Sequence, residues 1–514
     1  MVSSATDYAG EAGAEASSGG RALAAIWLER GLLGCLFLLA FSAPISIAGT
    51  QGAWLGGMLL WAARLFVKPR PALHRTPVDY ALLGFFILTF VSTLFSYDPD
   101  VSIGKLRAAS LFTIVYLVAE NVASRRVLRA LALVLLASCT ISVLYTFAGR
   151  ALGRGVKVEE MRWDSPLGQA GVGNGDTILA LDGEAVGDLE QLEKALVGAA
   201  AEGRSARLRV YHFEQLLDLE VLGEQLLEGA TPEARLGVGR WSPGRDERAT
   251  GFYGQYQTYS EVLQLIGSLA VGMLVALGRK RSWWGALVAA IIAGISAALI
   301  MTVTRASWLG LLVSVIVIVL AGAASRRLIL ITACVAVPLV LAGLLVLQQK
   351  RRVGFLDSRD ASTTWRLVVW REGLNVLVSR PRHLLVGVGM DSLKRRWREW
   401  QMFDRGRRPW GHLHSTPLQL AFERGVPTLL CWLALCALYA RMLWRLARKS
   451  RVRDSVERGL VLGALGGLIG FLVSGLVHYN FGDSEVVMVF YLIMGLALAI
   501  ERLAREGESK EATS

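Results

Sequence analysis

The sequence predicts an all-α polytopic membrane protein, about twelve transmembrane helices, with one small α/β domain inserted outside the bilayer. Of its 514 residues, 53% are hydrophobic and only 19% are charged, and the mean hydropathy is +0.44. Soluble domains carry roughly a quarter charged residues. The apolar residues fall in blocks of roughly 18–25, which is long enough to cross a hydrocarbon core. The stretch 155–222 is far more polar than its surroundings and contains alternating segments typical of strands.

The apolar blocks define the predicted spans and the segments between them. They lie at 31–48, 50–67, 79–96, 106–122, 128–148, 258–277, 283–303, 306–324, 327–347, 416–444, 459–479 and 484–502. This divides the chain into helices 1–5 (1–148), an outer segment (149–257), helices 6–9 (258–347), a second outer segment (348–415), and helices 10–12 with a tail (416–514). Chemistry is expected in the two outer segments, because loops carry function more often than spans do.

Basic clusters predict the orientation. Lys or Arg residues follow every even-numbered span, beginning at Lys68, Arg125, Arg279, Arg326, Arg445 and Arg502. The odd-numbered exits are poor in them. Since cytoplasmic loops carry the excess of positive charge, both termini are predicted to be cytoplasmic and both outer segments periplasmic, in a bacterial inner membrane. The net charge of +13 is then a topology signal and does not indicate a nucleic-acid partner.

The first outer segment contains a recognisable motif order. Asp164–Val172 includes a Ser-Pro turn, and Gly175–Gly183 includes Gly-Asp-x-Ile and an Asp-Gly hairpin. Val156–Val158 and Arg207–Val210 alternate as strands, while Leu189–Leu196 has helical spacing. This order resembles a bacterial periplasmic PDZ domain over about 153–224.

PDZ domains bind extended peptides at a sheet edge. The loop that would cradle a peptide carboxylate falls at 152–155, which departs from the usual Gly-Leu-Gly-Phe-like pattern. Two alternatives follow: a peptide or protein partner, or a spacer that docks on the membrane part.

The second outer segment is strongly basic. Between Lys350 and His412 there are fifteen Lys/Arg and six Asp/Glu residues, a net charge of +9. A solvated face and a contact with anionic headgroups are the simpler interpretations. The alternative is a cradle for a multiply charged phosphate, which guanidinium groups bind well. Arg395 and Arg396 are candidates for that role. The interleaved tryptophans are interpreted mainly as interfacial anchors, with a few available to stack on sugars.

Four stretches, in order, resemble the O-antigen ligase and O-antigen polymerase superfamily. They are Arg248–Tyr253, Thr302–Trp308, Trp365–Arg366 with Trp370 and Leu385–Gly389, and His412–Leu420 with Glu423–Pro427. The family's histidine is followed by Asn, whereas this chain has Ser415. A second histidine, His412, stands two residues upstream.

The resemblance implies transfer of a glycan from undecaprenyl pyrophosphate to an acceptor hydroxyl by a metal-independent, inverting glycosyltransferase without cofactors. Arg305 and Arg366 would stabilise the diphosphate leaving group, and His414 would act as general base or hydroxyl-positioning group. The remaining candidates for substrate binding are Arg248, Tyr253, His412, Glu423, Arg395 and Arg396. His412 with His414 is at most half a metal site, and His478 is unassigned.

The acceptor remains open between lipid A core, which defines a ligase, and another glycan repeat, which defines a polymerase; a protein acceptor is a third variant. A transporter or flippase is disfavoured because no paired repeat is evident. A PDZ-based membrane anchor would leave Arg305, Arg366 and His414 unexplained.

Overall fold

A computed structural model of the chain describes residues 3–212, 215–222, 226–245, 247–278, 282–322, 361–448 and 454–513. The chain divides into two compact units. The first consists of Met1–Ser142 and Phe252–Ser514, and the second consists of Val143–Gly251. The first is helical in its described parts, and the second contains a six-stranded sheet.

The helices before the sheet are α1 Ser3–Ser42, α2 Ile47–Phe66, α3 Asp79–Leu94, α4 Pro99–Ala109, α5 Thr113–Asn121 and α6 Arg125–Leu152. The second unit contributes α7 Pro166–Gln169, α8 Leu189–Ala201 and α9 Pro232–Leu236. After it come α10 Tyr256–Ala276, α11 Trp283–Met301, α12 Arg305–Gly322, α13 Ala361–Val378, α14 Pro381–Val386, α15 Ser392–Arg396, α16 Met402–Gly406, α17 Thr416–Arg424, α18 Val426–Arg448, α19 Ser455–Gly475 and α20 Ser484–Thr513.

Within the described residues, nine helices are long and apolar enough to cross a membrane. They are Leu23–Ser42, Pro99–Asn121, Arg125–Leu152, Tyr256–Ala276, Trp283–Met301, Arg305–Gly322, Val426–Arg448, Ser455–Gly475 and Ser484–Gly507. The span Pro99–Asn121 consists of α4 and α5, joined by the 3-10 turn Ser110–Phe112. The second predicted span is helix α2, which is not among these nine, and the third is α3, which has only 16 residues. The ninth, 327–347, lies outside the described residues. The helical membrane fold is confirmed, but the number of about twelve spans is not.

Glycines allow α10, α12 and α19 to pack backbone against backbone. A Cβ added at Gly463 would lie 2.5 Å from Leu269 Cα, and one added at Gly470 would lie 2.4 Å from the Gly310 carbonyl oxygen. Small residues at helix interfaces permit such close approach in membranes. The buried Gln264 amide lies within this interface and donates to Ser314 Oγ at 2.9 Å. These three helices form the packed core beneath the candidate site.

The predicted span 416–444 is two helices, α17 and α18, separated at Gly425. This glycine has a φ of +84°, and a Cβ there would lie 2.3 Å from the Leu385 carbonyl oxygen. A strand-like turn explains the crowding, because Val388 N–H donates to Phe422 O and Gly389 N–H donates to Glu423 O, both at 2.9 Å. The Gly-Val-Gly turn therefore docks on the end of α17 and holds the break in place.

The second unit is an antiparallel sheet with strand order β5-β4-β2-β1-β6, and β3 pairs with β2. The strands are β1 Val156–Met161, β2 Thr177–Leu181, β3 Glu184–Ala185, β4 Ser205–His212, β5 Gln215–Leu222 and β6 Val238–Pro243. Alternating buried residues of the strands and the apolar face of α8 form one core, as the period-2 and helical patterns predict. The predicted PDZ-like strands and helix are thus confirmed, and β6 is an added strand outside the predicted 153–224.

We expect Gly463→Ala to destabilise the protein by about 1–3 kcal/mol, because its methyl group would collide with the α10 backbone. Gly467→Ala is the matched control, since its Cβ would meet nothing closer than 3.4 Å. Alanine there should be neutral or stabilising by up to about 1 kcal/mol through helix propensity. Thermal unfolding of both variants in detergent micelles measures the difference, and equal melting temperatures would contradict the packing argument.

Candidate functional site

Two histidines lie side by side in the turn before α17. The His414 and His412 ring centroids are 4.0 Å apart, and the backbone N–H of His414 donates to His412 Nδ1 at 3.2 Å. His414 has a φ of +47°, a sparsely populated conformation for a residue with a side chain. Trp365 on α13 presents its ring edge-on to His414, with the centroids 4.8 Å apart. The turn thus holds both imidazoles in one defined arrangement.

Leu413, between the two histidines, anchors the turn. It is fully buried; its N–H donates to Gln419 Oε1 and its carbonyl accepts from Trp370 Nε1, both at 2.7 Å. Trp370 belongs to α13 and Gln419 to α17, so two helices hold the backbone of the same residue. The tryptophan and the glutamine that the sequence pattern singled out therefore both fix the turn that carries the histidines.

Both histidines are held in their neutral form. Removal from water lowers the pKa of His412 to about 4, and Lys394 and His478 act in the same direction. The pKa of His414 is lowered further, again first by burial and then by His412 and Arg366. Arg366 on α13 is therefore an electrostatic neighbour of His414. Each neutral imidazole has one acceptor nitrogen, and in His412 this is Nδ1, which already accepts the His414 backbone N–H.

Glu423 lies behind the histidines, on α17. Its buried carboxylate accepts from Gln419 Nε2 at 2.9 Å, from the Asp391 N–H at 3.0 Å and from Tyr479 Oη at 3.2 Å. Burial raises the pKa of Glu423 and outweighs the nearby Arg424 guanidinium. The contacts make Glu423 a positioning group for its neighbours.

Tyr479 connects Glu423 to the histidine pair. Its ring lies 5.6 Å from that of His412, centroid to centroid. Burial and the Glu423 charge both raise the pKa of Tyr479, so its hydroxyl stays protonated and donates. A recess opens beside these groups, and its polar lining includes Lys105, Asp391, Glu423, Arg424 and Tyr479.

A second buried carboxylate, Glu261 on α10, joins the helices below the histidines. It accepts hydrogen bonds from Ser307 (3.1 Å), Ser474 (2.7 Å), His478 Nδ1 (2.9 Å) and Asn480 (3.2 Å). These donors come from α12, α19 and the turn between α19 and α20. His478 is in turn close enough to His412 and His414 to lower the pKa of each. Glu261 therefore links the helical core to the histidine turn.

Arg305 begins α12, directly after Val303 and Thr304, and is partly buried. Ser307, one half-turn further along α12, donates to Glu261. Arg305 thus occupies the end of α12 that is tied through Glu261 and His478 to the histidine pair. Of the three predicted catalytic residues, Arg366 and His414 are electrostatic neighbours, and Arg305 lies at the helix end that this network holds. Their catalytic roles stay predictions.

Arg395 and Arg396 both form ion pairs with carboxylates. Arg395 pairs with Asp100 at 2.8 Å. Arg396 binds Asp98 through Nε at 2.8 Å and also contacts Glu399. These arginines connect the second outer segment to the start of α4. Their predicted contact with phosphate stays a prediction.

Two further predicted residues are Tyr253 and Arg248. The Tyr253 hydroxyl donates to the Ala43 carbonyl, at the end of α1, and burial raises the pKa of Tyr253. Arg248 belongs to the second unit. The predicted contacts of both residues with substrate stay predictions.

Sequence reasoning missed Glu261 and left His478 unassigned. A signal for Glu261 was present, because it is the only charged residue of α10. A carboxylate inside a span is costly unless it has partners or a function. Its four donors, however, come from segments distant in sequence, which no local pattern reveals. In the part of the chain that the structure describes, no three His, Cys, Asp or Glu side chains converge as metal ligands.

Comparison with known protein families gives two matches. Residues 288–433 match the O-antigen ligase family, and this range includes Arg305, Arg366, His412, His414 and Glu423. Residues 139–222 match the PDZ domain family. A search of curated proteins gives no significant match. The family matches therefore coincide with the histidine turn in the first unit and with the sheet of the second.

The lowered histidine pKa values predict a specific pH dependence of stability. Below pH 6.5 the unfolded chain takes up protons at His412 and His414, whereas the folded protein does not until far lower pH. Acidification from pH 7.5 to 5.5 should therefore lower the free energy of unfolding. The loss should be smaller in the double variant His412→Gln/His414→Gln. Thermal unfolding at both pH values tests this, and an equal loss in both proteins would contradict it.

Glu261→Gln should destabilise the first unit by about 2 kcal/mol, because one amide oxygen cannot satisfy four donors. Glu399→Gln is the control, since the Glu399 side chain is 57% exposed and its partner Arg396 is also bound by Asp98. A surface ion pair contributes about 0–1 kcal/mol. Denaturant unfolding in micelles compares the two variants. If Glu261→Gln were no more destabilising than Glu399→Gln, Glu261 would not be the link described above.

Proposed function

We propose that this chain, which carries an O-antigen ligase domain and an inserted PDZ domain, is a glycosyltransferase that uses undecaprenyl-pyrophosphate-linked glycan as its donor. The observation that carries the proposal is a neutral His414 beside the Arg366 guanidinium, within the region that matches the ligase family. One group accepts a proton and the other attracts an anion. The reaction site is proposed to face the periplasm of a bacterial inner membrane, with both termini in the cytoplasm.

The proposed reaction is a single inverting displacement. The acceptor hydroxyl oxygen attacks the anomeric carbon of the donor sugar while the bond from that carbon to the phosphate oxygen breaks. The electron pair leaves with the lipid diphosphate, and the hydroxyl proton passes to His414. Arg366 and Arg305 stabilise the charge that grows on the leaving group, because fixed guanidinium groups at a low-dielectric boundary need no reorganisation. No metal or cofactor takes part.

Donor binding adjusts the strength of the base. With its pKa lowered by burial and positive neighbours, His414 is a weak base before the donor binds. A diphosphate anion placed against Arg366 brings opposite charge near the imidazole and raises its pKa towards the working pH. General bases are most effective when those two values are close. The imidazole therefore becomes an effective base only with the donor in place.

His412, Glu423 and Tyr479 are proposed to position the acceptor and the histidine turn. The hydrogen bond from Tyr479 to Glu423 and the close contact of the two histidine rings support that role. Ser415 stands where the family has Asn, so orientation of the imidazole falls to His412 and Trp365. The acceptor is a hydroxyl of lipid A core in the leading proposal, and a glycan repeat in the alternative.

Purified protein incubated with lipid-diphosphate glycan and each acceptor tests the proposal. Product on lipid A core marks a ligase, and a lengthened glycan marks a polymerase. We expect His414→Ala to lower turnover by about 10²-fold or more, the usual contribution of a general base. Arg366→Ala should also lower turnover, whereas a metal chelator should leave it unchanged.

Arg371→Ala is the matched control, because this exposed arginine lies on the same helix as Arg366 but on another face. It should retain turnover within about a factor of two, as surface substitutions usually do. Full turnover in His414→Ala would exclude His414 as the base. Inhibition by the chelator would exclude the metal-independent mechanism.

A further inference from the structure

A strand of the chain itself covers the edge of the PDZ sheet at which a peptide would add. β1 pairs with β2 on one side and with β6 on the other. The β1–β6 pairing is antiparallel and runs through five register pairs, from Val156↔Pro243 to Met161↔Val238. β1 follows the 152–155 loop, which is the position of the carboxylate cradle. The covered edge is therefore the one that β-strand addition would use.

The covering strand has the direction of a bound C-terminal peptide. Its later residues lie at the cradle end of β1, where Arg154 N–H donates to the Gly244 carbonyl at 2.7 Å. Gly244 N–H in turn donates to the Gly155 carbonyl at 3.1 Å. A backbone carbonyl thus accepts from the loop that would otherwise bind a terminal carboxylate.

Side chains fix the same segment against α8 and the domain core. Leu236 and Val238 are buried with the PDZ core residues, and Trp241 packs against that cluster. Arg235 on α9 binds Glu193 on α8, with Nη2 to Oε2 at 2.9 Å. The segment 232–244 therefore contacts both the strand and the helix that border a PDZ peptide groove.

Glycines make the fit close. A Cβ added at Gly237 would lie 2.3 Å from Ser165 Cβ, and one at Gly244 would lie 2.4 Å from the Arg154 carbonyl oxygen. Gly237 also has a φ of +70°, which favours glycine. The segment is thus matched to the groove along its length.

We infer that segment 232–244 is an intramolecular ligand that closes the peptide groove of the PDZ domain. The groove accepts an extended peptide with a free C-terminus only after this segment leaves. Because the segment is tethered by a short connection, its effective concentration is on the order of millimolar. With micromolar intrinsic affinity of the segment for the groove, a free peptide would then bind about 10³-fold more weakly to the closed domain. The inference does not depend on the proposed enzymatic function.

The test uses the full chain in micelles and a fluorescent peptide with the sequence of residues 232–244. The variant Val238→Asp/Trp241→Asp removes two apolar anchors of the covering strand and leaves the groove itself unchanged. We expect it to bind the peptide at least tenfold more tightly than the wild type in fluorescence anisotropy. The milder variant Arg235→Ala/Trp241→Ala avoids placing a charge in the core, and it should show a smaller increase.

The control places the same charges on the opposite edge strand. Leu216 and Leu222 of β5 are each 56% exposed, so Leu216→Asp/Leu222→Asp should leave peptide binding as weak as in the wild type. Added to the opened variant, these two substitutions should leave the tighter binding intact. Loss of that binding would place the receptor at β5 and overturn the inference. The inference is also wrong if the milder variant, shown to be folded by its thermal transition, gains no affinity, or if the wild type already binds as tightly as the variants.

Discussion

The architecture of the first unit depends on satisfying one buried carboxylate, Glu261. A charge removed from water costs several kcal/mol unless hydrogen bonds replace its hydration. Four donors surround Glu261, and they come from three separate parts of the chain. The donors can converge only if α10, α12 and α19 approach closely, and the glycines along these helices make that approach possible. Close packing of these three helices is therefore a condition for the hydrogen bonding of Glu261.

Hydrogen bonds also satisfy a second buried carboxylate, Glu423, which is linked to the histidine turn through Gln419. Its carboxylate orders Gln419, and Gln419 in turn holds the Leu413 N–H between the two histidines. The histidine turn thus rests on buried hydrogen bonds whose loss would leave unsatisfied polar groups in a dry region. This supports a rigid, preorganised turn, which is what a strained φ at His414 requires from its surroundings.

Much of the fold was predictable because its signals are local. The length of the apolar blocks indicated the membrane spans. Alternation of apolar and polar residues, together with an Asp-Gly turn, indicated the strands of the second unit. The sequence motifs included His414 and Gly425, but the continuous apolar block around Gly425 predicted one span and gave no sign of a helix break there. Its cause is the docked 387–389 turn, a tertiary contact.

The features that the sequence did not reveal share one physical origin. The basic stretch that includes Arg395 and Arg396 suggested phosphate binding, but it did not reveal their ion pairs with Asp98 and Asp100, which lie almost 300 residues earlier. Likewise β6 carries four glycine or proline positions in or beside it and little alternation, so pattern alone does not indicate a strand. Its conformation comes from the edge of β1, which supplies the backbone partners. Charge composition and propensity describe what a residue can do, and long-range partners decide which of those possibilities is used.

The electrostatics of the histidine turn favour a definite order of events under the proposed function. Arg366 and Lys394 place positive charge around two buried imidazoles, so protonation of either imidazole is unfavourable. The same field attracts an anion, and a diphosphate is the most highly charged part of the proposed donor. Once bound, it cancels the field that weakened the base. The donor is then both substrate and activator, and an acceptor hydroxyl that arrives first meets a base too weak to deprotonate it. Donor before acceptor is the binding order that this arrangement of charges supports.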